Sequence, residues 1–81
     1  MDWFLIWFND KRSILDAMIS NLMADLSVGY DYFGNSARKQ RAEIEAYKAK
    51  FDAELTKLGN MQHDEVLRWC RRDLKRRGAI S

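Results

Sequence analysis

Apolar residues recur every three or four positions along most of this chain, a spacing that predicts helices rather than strands. In the first such stretch, Ile14 or Leu15 is followed by Met18, Ile19, Leu22, Met23 and Leu26 on one broad stripe. A first helix is therefore expected over residues 10–28. Asp10 or Ser13 is placed to cap its start, and Gly29 to stop it. The second stretch steps through Ile44, Tyr47, Phe51, Leu55 and Leu58 with heptad-like spacing. It predicts a helix over 36–58, capped by Asn35 or Ser36 and ended by Gly59 and Asn60. Opposite that seam, Ala42, Ala46, Ala49 and Ala53 repeat the same steps. Two readings stand: a solvated face built from good helix formers, or a close-packing surface for a second protomer or a target.

The third stretch, over 62–77, is short and strongly two-faced. Wound at 100° per residue, Arg68, Arg71, Arg72, Lys75 and Arg76 fall on one arc of about 140°. Val66, Trp69, Cys70 and Leu74 fall on the other side. Asp64 and Glu65 sit in the first turn and Lys75, Arg76 and Arg77 in the last, each where the helix dipole favours its charge. Gly78 is the expected C-cap, with Ile80 folding back onto the core.

Two segments fall outside these stripes. Tyr30 to Asn35 is a turn-rich connection whose Tyr30, Tyr32 and Phe33 could lid the bundle, stack bases or plug a protein groove. Met1 to Phe8 reads MDWFLIWF and is apolar on every helical face. Trp3, Phe4, Trp7 and Phe8 are either core, with the first helix starting near Asp2 and covered on both sides by the core and the YDYFGN loop, or an exposed anchor for a partner or a second protomer. A membrane-surface anchor is a third reading, weakened by the mixed charges Asp2, Asp10, Lys11 and Arg12. The predicted fold class is all-α: one domain over 1–81, a small three-helix bundle with an aromatic inter-helix loop and an apolar N-terminal segment.

Composition narrows the picture. The 81 residues are 47% hydrophobic and 32% charged, which is globular rather than disordered. A core of this size supplies only about 3–5 kcal/mol, and the single cysteine, Cys70, rules out an intramolecular disulfide. A reducing, cytoplasmic location is expected. The apolar run from Trp3 to Phe8 is far shorter than the roughly 20 residues a membrane span needs, and it has no basic leader of a secretory signal.

Net charge is only +2, but residues 1–35 hold five acids and two bases, whereas residues 61–81 hold three acids and six bases. The cationic arc wants anions: phosphates or the carboxylates of a partner. Residues 66–77 contain no Asn, Gln, Ser or Thr, the side chains that help cations read base edges. Contact with nucleic acid would therefore be to phosphates and indifferent to sequence.

Asp73 lies on the core side beside Trp69 and needs a partner there, since an unpaired buried charge is costly. Arg77 at i+4 is the local candidate, and a lysine or arginine of the second helix the longer-range one. His63, the only histidine, precedes Asp64 and Glu65 at spacings that cannot converge on a metal. Cys70 is on the apolar face and reads as a buried thiol. No catalytic set, metal site or cofactor is expected, and an enzyme is not.

The stretches SVGYDYFGNSARKQRAEIEAYKAKFDAEL and DEVLRWCRRDLKRRGAIS, residues 27–55 and 64–81, resemble short accessory proteins of phages and other mobile elements of gut Firmicutes. Tyr30, Asp31, Tyr32, Arg68, Trp69, Cys70 and the ending from Leu74 to Ile80 carry the resemblance. It implies a small, non-enzymatic protein aimed at host machinery, in the setting of inhibitors of CRISPR nucleases and other defence systems. The expected partner is a host protein or protein–nucleic-acid complex. A sequence-independent module binding RNA or DNA phosphates is one alternative, and a structural homo-oligomer, such as a homodimer, is another.

Overall fold

A computed structural model describes residues 1–27 and 35–81, with Asn35 described for its backbone alone. Three helices follow one another: α1 (Trp3–Ser27), α2 (Asn35–Gly59) and α3 (His63–Arg76). The all-α, three-helix architecture expected from the apolar spacing is the one observed. Among the described residues there is no strand. The aromatic loop residues Tyr30, Tyr32 and Phe33 lie outside the described residues.

The first helix starts at Trp3, as the core reading of the apolar segment has it, rather than near residue 10 as its stripe suggests. Asp2 provides the cap: its Oδ1 accepts the N–H of Leu5 at 3.0 Å, and its carbonyl accepts the N–H of Ile6. Neither Asp10 nor Ser13 is an N-cap, because both lie inside the helix. The apolar segment is thus the first two turns of α1.

That placement explains a segment apolar on all sides. α1 is the central element and packs against both α2 and α3. Trp7 is completely buried, and Trp3, Phe4, Ile6 and Phe8 pack around the same cluster. Leu5 points outward and is half-exposed. The core is Trp7, Phe51, Leu58, Cys70 and Leu74, one or two residues from each helix. Trp7 meets Phe51 and Trp69 edge-on, with ring centroids 5.7 and 5.5 Å apart, a favoured aromatic geometry.

α1 and α2 are each 25 residues long, whereas α3 has 14. The two long helices run about 37 Å, and α3 covers only the end that holds Trp7. The outline is correspondingly elongated, 47 × 25 × 17 Å. Along the other end, Leu15, Met18, Ile19, Leu22 and Leu26 are only half-buried. All four alanines of the stripe on α2 are exposed.

The chain closes with a Schellman motif. Gly78 adopts φ 75°, its N–H donates to the carbonyl of Lys75, and the N–H of Ala79 donates to that of Leu74 at 2.9 Å. Ile80 then packs on the core, as its position after the glycine suggested.

Candidate anion-binding face

The geometry of α3 follows from what anchors it. Cys70 and Leu74 are buried against α1, and Val66 and Trp69 are half-buried beside them. With that side fixed inward, Arg68, Arg71, Arg72 and Lys75 line one shallow surface depression. Among the described residues none of these four forms an ion pair with an acid of the protein.

Arg76, the fifth cation of the arc, differs. Its guanidinium pairs with Asp73 while most of its side chain stays exposed. It therefore borders the face with its charge partly answered from within. Arg76, Arg72, Trp69 and Asp73 line a second depression adjoining the first.

Asp73 is 3% exposed and fully partnered. Its Oδ2 accepts the indole N–H of Trp7 at 2.9 Å and the Nε–H of Arg77 at 3.1 Å. Arg77 also reaches Asp10 of α1 at 2.7 Å. The expected local partner, Arg77, is present. The expected longer-range partner is corrected: it is Trp7 of α1, not a cation of α2, because α3 packs on α1 at this level. Burial pushes the Asp73 carboxyl up, but hydrogen bonds from Trp7, Arg76 and Arg77 outweigh it and hold the group below the ordinary carboxylate value. For Arg77, burial works against the charge, but the bonds to Asp10 and Asp73 prevail and strengthen it.

The candidate anchor residues separate. Trp7 is corrected from anchor to core: at 0% exposure it presents nothing to a partner. Phe4 and Phe8 are half-buried, 6.1 Å apart between ring centroids. Trp3 is half-buried too and lies against the basic face, with the Arg71 guanidinium carbon 5.4 Å from its ring centroid. At Trp69, the ammonium of Lys57 from α2 stands 5.4 Å from the ring. Both distances are within cation–π range.

Lys11 was not singled out by sequence reasoning. It is 5% exposed on α1, with Nζ 3.0 Å from Oε1 of Glu54 on α2 and within 6 Å of the Trp7 and Tyr47 rings. The Tyr47 hydroxyl donates to the Lys11 carbonyl at 3.2 Å. Lys11 lies one turn after Trp7, so its place on the core stripe was the available signal. Its ion pair ties α1 to α2 as Asp73 ties α1 to α3.

Cys70 is wholly buried, and burial first, then the negative charge of Asp73, raises its thiol to about 11. It is inert as a nucleophile at neutral pH. His63 is exposed at the start of α3. Among the described residues no group of three or more His, Cys, Asp and Glu side chains is arranged to hold a metal ion. No described helix is long and apolar enough to cross a membrane. The chain matches no protein-family model, no curated protein and no solved structure.

Proposed function

We propose that this protein is a non-enzymatic helical interaction module that docks on a host nucleoprotein, with the basic face of α3 as its working surface. The face takes nucleic-acid phosphates without regard to base sequence. One observation carries this reading: Arg68, Arg71, Arg72 and Lys75 stand together outside, while the only acid in their run is turned inward to Trp7 and Arg77. Four clustered cations without internal counterions repel one another, and an external polyanion relieves that repulsion. The lack of base-reading side chains on the face favours phosphate contact over sequence readout. Interference with a defence nuclease in the cytoplasm, the setting implied by the resemblance, would use this same face.

The test is binding of labelled RNA and duplex DNA at about 50 mM salt, where phosphate contacts are strong. The wild-type chain binds both. Replacing Arg68, Arg71, Arg72 and Lys75 with glutamate abolishes binding while circular dichroism stays helical. Equal binding by the charge-reversed protein removes this reading.

A structural homo-oligomer is the second reading, favoured by the exposed alanine stripe of α2 and by Met23, 63% exposed. Sedimentation at micromolar concentration tests it: a monomer throughout excludes it.

A further inference from the structure

Two tryptophans border the cationic arc, one on each side. Arg71 forms one edge of the arc, and its guanidinium lies over Trp3, brought there by the first turn of α1. Arg76 forms the other edge, and Trp69 follows it around the helix, sharing a depression with Arg72 and Arg76. Both rings are half-buried, in contrast to the fully buried Trp7 between them. Each keeps part of its surface in water next to a cation.

We propose that the α3 face is a site for single-stranded nucleic acid: its phosphates run along Arg68, Arg71, Arg72 and Lys75, and a base stacks at the Trp3–Arg71 pair. This rests on the phosphate-binding reading above and adds the class of strand. A duplex keeps its bases stacked inside and offers these rings nothing. A single strand presents π-faces, and aromatic rings beside a positively charged track are the features that hold it without sequence preference. Arginine contributes as well, since bases also stack on its guanidinium plane. The four cations span about 10 Å along α3, which suits a site of a few nucleotides rather than an extended groove. An acidic protein surface would satisfy the charges but would make no use of the part of Trp3 and Trp69 left in water beyond their packing on the core.

The experiment titrates the full chain with four probes at about 50 mM salt: an oligouridylate of roughly 12 nucleotides, a hairpin duplex of the same length, heparin and polyglutamate. Indole emission and probe anisotropy are both read. The single strand is expected to quench indole emission and to bind more tightly than the hairpin, with heparin binding without quenching. Trp3→Leu keeps apolar bulk at the core edge and should weaken single-strand binding about tenfold, leave hairpin and heparin unchanged, and be rescued by Trp3→Tyr. Circular dichroism checks that each variant is folded. Binding of the oligouridylate, the hairpin and heparin with no quenching and no effect of Trp3→Leu overturns the stacking site and leaves the phosphate reading standing. Binding of polyglutamate alone, or of no probe, overturns both.

Discussion

The indole N–H of Trp7 donates to Oδ2 of Asp73 across 2.9 Å, joining residues 66 positions apart. Both groups are buried, and the Arg77–Asp10 bond at 2.7 Å ties the same C-terminal end of α3 to α1 a turn further along. The Trp7–Asp73 pair fixes how α3 is rotated on α1. Since Arg68, Arg71, Arg72 and Lys75 centre on the side of α3 away from Asp73, the same contact that secures the core turns them outward.

Trp7→Phe keeps most of the ring but removes the donor. It should cost about 1.5–3 kcal/mol, the range for a hydrogen bond to a charged group. Trp7→Ala should cost about 3–5 kcal/mol through the cavity it leaves. Urea unfolding measures both; a Trp7→Phe protein as stable as wild type would show that the bond does not organise the core.

Asp73 makes stability depend on acid. Its folded-state carboxyl is held below the ordinary 3.8, so its contribution is present above that value and is lost as pH falls through the lower, folded one. Wild type and Asp73→Asn should therefore differ most near neutrality and draw together as pH falls through the lowered folded-state value. Urea midpoints of the two proteins across this range give the comparison, and a gap independent of pH would contradict it.

Cys70 sets an alkaline limit. With its thiol raised from 9.0 to about 11, the folded state favours the protonated form, and that contribution fades as pH rises through this window. At pH 8 a thiol reagent should label the native protein only through opening, far more slowly than the urea-unfolded chain. Equal labelling rates would place Cys70 outside the core.

The two ends of the α1–α2 hairpin should differ in dynamics. The Trp7 end has three helices around it, whereas the end carrying Met18, Leu22 and Leu26 has two, with Ala37 and Ile44 of α2 buried but the α1 side of the seam only half-buried. Amide exchange should be faster over residues 15–27 and 36–47 than over 3–14 and 48–58, because local opening there exposes less apolar surface. Uniform protection would point to a partner or second copy covering that seam.

The helical class and the two faces of α3 were legible because periodicity alone specifies them. Leu74 and Cys70 inside and Arg68 and Arg72 outside follow from 100° per residue. Asp73 was legible as a buried acid with Arg77 beside it, since both lie on one helix. Its bond to Trp7 was not, because it depends on which helix α3 packs against, and nothing local encodes that. The start of α1 stays open between Asp2 and residue 10 in the sequence for a related reason. An apolar segment with no single stripe gives no period to follow, and only a helix covered on two sides makes sense of Trp3, Phe4, Ile6, Trp7 and Phe8 together. Lys11 was hidden for another reason: inside the polar run from Asn9 to Ser13 it reads as solvated until Glu54 of α2 is seen opposite it.

The most direct test of the basic face is the salt dependence of its nucleic-acid affinity. With four cations engaging phosphates, the logarithm of the binding constant should fall against the logarithm of salt with slope about −2.8 for a single strand and about −3.6 for a duplex. Arg72→Gln should flatten the single-strand slope by about 0.7. A slope near zero, or one that Arg72→Gln leaves unchanged, would contradict the assignment of these four residues to an external polyanion.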